Sequence, residues 1–185
     1  FVHRSQNCIV NHREVGIHTK SFSAALRGAL REDPDIIMVG EMRDLETTAL
    51  AIEAASTGHL VLATVHTTSA VKTVDRVVEI FPESEQLQIR STLADGLRAV
   101  ISQVIFKRSD IKARCVALEI LVATPAVRNL IREQKTYQIP SMIQAGKKYG
   151  MQLLDDGIME LYNRGWISAE DAYIKSNEKG RFRPL

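Results

Sequence analysis

Two residues stand where an apolar run gives way to a polar loop. Ile36, Ile37, Met38 and Val39 lead into Gly40 and Glu41, and the stretch from Leu60 to Val65 leads into His66 and Thr67. A carboxylate just past a strand, beside a glycine that lets a ligand come close, suits orienting a water for attack on a phosphoryl group. An imidazole at the end of a second strand can hydrogen-bond a terminal phosphate and report its presence. Each residue alone is also an ordinary loop or structural residue, so the weight rests on the two opening into one crevice. Arg27, Arg31 and Arg43 are the natural charge partners for an anion held near Glu41.

The elements around these residues have to set them side by side. Strands apolar on both faces belong in the middle of a parallel sheet covered by helices. Ligands of such sheets sit beyond the carboxyl ends of the strands. Between the two strands Asp44 is placed to cap a helix whose Ala49, Ala51, Ala54 and Ala55 allow close packing, and Gly58 ends it. Ahead of the first strand, Ser21 caps a helix with Phe22, Ala25, Leu26, Ala29 and Leu30 at spacings of three and four, stopped by Asp33-Pro34. Weak alternation through Cys8, Val10 and Val15 suggests an edge hairpin at the start of the chain.

After the second strand a helix is expected from about Ser69, with Val71, Val74, Val78 and Phe81 on one face. Another is expected from Ser84 to about Leu97, with Ile89, Leu93 and Leu97 repeating. Two β-rich runs around a charged turn between Val100 and Val122 read as an antiparallel hairpin. From Thr124-Pro125 onward only helices are expected, at about 125–134, 139–146, 152–164 and 168–176. A domain boundary is placed near Ala123.

The 185 residues are 45% hydrophobic and 25% charged, with a net charge of +2, the composition of an ordinary globular chain. Basic residues are spread along the chain rather than gathered into a stripe with aromatics, which argues against nucleic acid as a partner. Cys8 and Cys115 show neither metal-site nor redox-motif spacing and read as reduced, buried small residues of a cytosolic protein. No apolar run approaches the roughly 20 residues that span a bilayer, so a membrane link would go through a partner.

Three stretches, ALRGALREDPDIIMVGEMRDLET, TGHLVLATVHTTSAVKTVDRVVEIFP and TPAVRNLIRE, in this order and spacing resemble the type II/type IV secretion ATPase superfamily. Within it they are most similar to its pilus-retraction motors, over essentially the whole chain. The resemblance implies an α/β fold: an incomplete RecA-like P-loop ATPase core at 1–123, mainly a parallel sheet plus a β-hairpin, followed by a small all-α C-terminal domain at 124–185. It makes VGEMRD the Walker B element, with Glu41 as the catalytic glutamate. TGHLVLATVHTT becomes the His box, with His59 and His66 near the nucleotide. Arg27, Arg31 and Arg43 match positions used around the nucleotide and between subunits. AVRNLIRE becomes the retraction-type signature. On an amphipathic helix that packs Val127, Leu130 and Ile131 inward, it leaves Arg128, Asn129, Arg132 and Glu133 free to meet a partner.

The general Walker B pattern carries an Asp where Gly40 stands, so no direct carboxylate link to magnesium is expected there, and the family shows the same glycine. No G-x-x-x-x-G-K-[ST] loop occurs in the chain. In the resembling family that loop and an acidic Asp box lie upstream. The implied whole is a homohexameric, cytoplasmic ATPase, with ATP and Mg2+ as ligands of the complete protein. It would couple hydrolysis to type IV pilus retraction and twitching motility, and an inner-membrane platform protein would be its partner. The rival readings are a secretion or pilus-assembly ATPase of the same superfamily, and a non-catalytic ring-interface or docking module.

Overall fold

Ser21 opens the first regular element: its Oγ accepts the Ala24 N–H at 3.1 Å, and α1 (Phe22–Ala29) follows. The computed structural model describes residues 2–182, which divide into two compact units, one running to Val65 and the other beginning at His66.

In the first unit Asp33, at φ 52°, and Pro34 turn the chain from α1 into β1 (Ile36–Val39). Asp44 then caps α2 (Leu45–Ser56), accepting the Thr47 N–H at 2.8 Å. Gly58, at φ 109°, turns the chain into β2 (Leu60–Ala63). The two strands pair in parallel, Ile36 opposite Leu60 and Val39 opposite Ala63. Alternation along β1 sends Ile37 and Val39 inward onto Leu26 of α1 and Ala51 and Ala54 of α2.

The same alternation leaves Ile36 and Met38 59% and 61% exposed, and Leu60 and Leu62 are exposed as well. Helices on both faces were expected; here α1 and α2 both pack on the Ile37 and Val39 face. The edge hairpin at the start of the chain is also not found. Residues 6–8 form bends, and an isolated bridge joins Val15 to Thr19. Val2 and Ile9 lie exposed, so that segment has no apolar face to bury against a sheet. Cys8 is exposed, contrary to expectation.

In the second unit Ser69 caps α3 (Ala70–Glu79), which buries Val74, Val77 and Val78. Val71, expected on that face, is half-buried against the same core. Pro82 precedes α4 (Glu83–Gly96). Leu93 and Leu97 pack partly buried against the core, but the fully buried residue of α4 is Ala94.

β3 (Ala99–Lys107) and β4 (Arg114–Val122) form the antiparallel hairpin, with Ala99 opposite Val122 and Lys107 opposite Arg114. Thr124 and Pro125 start α5 (Pro125–Arg132) as expected, and α6 (Ile139–Ala145), α7 (Leu154–Asn163) and α8 (Ala169–Lys175) follow. One core gathers Val74, Val100, Leu121, Val127, Ile131 and Ile143, and a second gathers Phe106, Cys115, Leu154, Ile158 and Ile167. Burial pushes the Cys115 thiol up from its ordinary pKa. The position near Ala123 lies inside this unit, where strand and helix side chains share both cores.

Candidate functional site

The parallel register of β1 and β2 brings their carboxyl ends together, and the loop carrying Glu41 leaves from there. That loop is fixed at two points by one residue beyond β2. Thr64 Oγ1 donates to the Gly40 carbonyl, and the Thr64 carbonyl accepts the Met42 N–H at 3.1 Å. Glu41 sits between the two tethers, its side chain only 20% exposed. Its carboxylate pairs with the Arg43 guanidinium at 2.5 Å, while Arg43 itself is 75% exposed. The hydrogen bond that Arg43 donates to Glu41, more than the carboxylate's charge, holds the Arg43 pKa above the ordinary arginine value.

A Cβ built at Gly40 would meet nothing closer than Phe22 Cε1 at 4.0 Å. No neighbour among the described residues therefore requires glycine there. The loop presents a buried-side carboxylate, an exposed cation and an open backbone approach at the end of a parallel pair, which is where α/β sheets bind ligands.

The three arginines expected around Glu41 do not converge on it. Arg43 does; Arg27 instead pairs with Glu46, in the first turn of α2, at 2.7 Å, both groups being exposed. Arg31 follows α1 with its side chain exposed. His59 immediately precedes β2, at the end of the strand pair opposite to Glu41. Its Nδ1 donates to the Ala54 carbonyl at 3.0 Å, tying it to the last turn of α2. His66 lies three residues past Ala63, is exposed and begins the second unit.

In the second unit Arg128 is not free for a partner. Its guanidinium donates to the carbonyls of Ala94 at 2.7 Å, Leu97 at 2.9 Å and Ala123 at 3.0 Å, and to that of Asp95. Arg132 pairs with Asp95, and Glu133 with Lys135 at 2.8 Å. Asn129 is exposed on the same helix.

The family model described as type II/IV secretion system protein matches residues 7–148. The chain belongs to that family. The type IV pilus retractation ATPase PilT of Pseudomonas aeruginosa is 56% identical over 176 residues, covering 95% of this chain and 51% of its own length. The twitching motility protein of Neisseria gonorrhoeae is 54% identical, covering 93% of this chain and 46% of its own length. The crystal structure of the pilus retraction motor PilT with bound ADP superposes with a TM-score of 0.85 at 47% identity, over 94% of this chain and 48% of that one. This is a PilT-like member of the type II/IV secretion family with an α/β fold, and it spans about half the length of the relatives it matches.

Thr64 was not singled out by sequence reasoning. The available signal was a lone hydroxyl breaking the apolar run LVLATV just after the strand. The role of Arg128 had no local signal, because three of its four acceptors are some thirty residues away in the chain.

Proposed function

We propose that this chain is the carboxyl-terminal part of a motor ATPase that couples ATP hydrolysis to pilus retraction. We place a truncated ATPase core at 1–123 and a helical domain at 124–185. The observation that carries the reading is the Glu41 loop, tethered on both sides by Thr64 at the carboxyl end of β1. Glu41, paired with Arg43, orients the attacking water by accepting its hydrogen bond. His66, on the segment leaving β2, is assigned the hydrogen bond to the terminal phosphate, and Arg27 and Arg31 are assigned phosphate oxygens or a neighbouring subunit. His59 acts at one remove, by fixing the turn between α2 and β2.

The described residues hold no group of three or more His, Cys, Asp or Glu able to bind a metal ion. Mg2+ is proposed as the ion that accompanies ATP in the complete protein, and the steps above do not depend on it. The bound ADP in the related PilT structure supports nucleotide as the ligand. No described helix is long and apolar enough to cross a membrane. The proposed whole is a homohexameric, cytoplasmic assembly that reaches the inner membrane through a platform protein. Asn129, Arg132 and Glu133 are the exposed or half-exposed groups that would meet such a partner.

The deciding experiment is Glu41→Gln in the full-length protein. Loss of turnover by roughly a hundredfold or more, with ATP affinity kept, is the expected result for removal of a water-orienting carboxylate. Turnover at the unsubstituted level would remove Glu41 from the role.

A further inference from the structure

Behind His66 the chain is braced by several hydrogen bonds, three of which involve Thr67, Ser69 Oγ and the Ala70 N–H. Thr67 Oγ1 hydrogen-bonds Thr73 Oγ1 at 2.6 Å, and Ser69 Oγ accepts the Lys72 N–H at 3.2 Å. The third brace comes from much farther along the chain. The carboxylate of Glu119, on β4, accepts the Ala70 N–H at 2.7 Å, at the first residue of α3.

Glu119 is 6% exposed and Ala70 fully buried. A buried carboxylate is costly unless its charge is answered. Here the answer is the N-terminus of a ten-residue helix, where unpaired backbone N–H groups and the helix dipole favour negative charge. The first two braces are local and stiffen α3 alone. The Glu119 brace joins the segment that begins with His66 to the hairpin.

β4 is also where the helices beyond residue 124 attach. Leu118, next to Glu119, lies with its backbone 3.2 to 3.3 Å from where a Cβ at Gly157 of α7 would stand, and its carbonyl accepts the Gln152 side-chain amide at 2.9 Å. Ile120, on the other side, exchanges both backbone hydrogen bonds with Gln152, at 2.8 and 3.0 Å. One strand therefore carries the fixed point of the His66 segment and the fixed point of α7 on three consecutive residues.

We propose that Glu119 is a positioning residue for His66: it sets where the segment after β2 is anchored on β4, and so ties nucleotide-dependent placement of His66 to the hairpin and α7. The inference rests on the ATPase reading of His66 given above. Charge is secondary to reach in this arrangement, because an amide oxygen at the same place also accepts the Ala70 N–H, whereas a side chain one methylene shorter cannot reach it.

The test compares Glu119→Gln, Glu119→Asp and Ser69→Ala in the full-length protein. Turnover, ATP affinity and melting temperature are measured on each. The expected result is kcat within about threefold of the unsubstituted protein for the Gln variant and lowered about tenfold or more for the Asp variant, with nucleotide Kd unchanged in both. Ser69→Ala, which removes a local cap without touching the tie to β4, is expected to lower melting temperature with little change in kcat. An Asp variant with unchanged kcat overturns the proposal. So does one that fails to fold, or that loses kcat only in proportion to stability as the Ser69 variant does, since either assigns Glu119 to stability alone. A full-length protein that hydrolyses no ATP instead removes the functional reading itself, and this inference with it.

Discussion

Arg128 closes the carboxyl end of α4 by donating to the carbonyls of Ala94, Asp95 and Leu97 and reaching back to Ala123 before its own helix. Carbonyls at the end of a helix have no partner within it, so one planar guanidinium satisfies several of them at once. Arg128→Ala is expected to destabilise the second unit by about 1–3 kcal/mol, the cost of leaving such acceptors unpaired. Arg128→Lys recovers only part of this, because an ammonium lacks the fork. Asn129→Ala, on the exposed side of the same helix, should lie within about 0.5 kcal/mol of the parent. Urea unfolding of the three variants checks the order, and an Arg128→Ala midpoint equal to that of Asn129→Ala would refute it. The sequence showed which face of α5 is apolar, since Val127 and Ile131 are buried as the spacing requires. It could not show that Arg128, off that stripe, lies over the end of α4, because that proximity depends on how two helices cross.

Helix starts were the most legible elements. Ser21, Asp44, Ser69, Thr124 and Ser168 each accept a backbone N–H from the following turn, as side chains of these types do at the half-in position before a helix. The parallel pair and the hairpin were also legible, from unbroken apolar runs in one case and alternation around a charged turn in the other. Two expectations at this scale failed for physical reasons. An unbroken apolar strand reports that both faces can be buried, not that helices of the same chain bury them, and Ile36, Met38, Leu60 and Leu62 stand exposed. Alternation among polar residues around Cys8 offered no buried face, and no hairpin formed. Asp44 tests the cap argument where it touches the site, since α2 begins just after the Glu41 loop. Its second oxygen accepts the Thr47 hydroxyl at 2.9 Å, and its carbonyl accepts that of Thr48 at 2.8 Å. Asp44→Ala is expected to cost about 1–2 kcal/mol, and Asp44→Asn only a few tenths. Amide exchange should show α2 opening more readily in the Ala variant, and equal protection in both would show that buried Thr47 and Thr48, not the cap, hold the helix.

At the scale of the molecule, the proposed function needs a phosphate cradle as well as the Glu41 carboxylate. Backbone N–H groups of a glycine-rich loop and a following lysine normally surround the phosphates, and no G-x-x-x-x-G-K-[ST] occurs in these 185 residues. Orienting a water contributes to rate only when the phosphoryl group is held in line with it. Glu41 and Arg43 cannot by themselves supply that positioning, because one carboxylate and one exposed guanidinium offer too few donors for a triphosphate chain. The relatives run to about twice the length of this chain, which leaves room for the cradle in a longer protein. The 185-residue chain alone is therefore expected to show steady-state ATP turnover no higher than its own Glu41→Gln variant, while the full-length protein shows a clear difference between the same two forms. Turnover by the short chain well above its Glu41→Gln control would mean that the described residues already hold the triphosphate, and the phosphate site would then have to be sought among Arg27, Arg31 and Arg43.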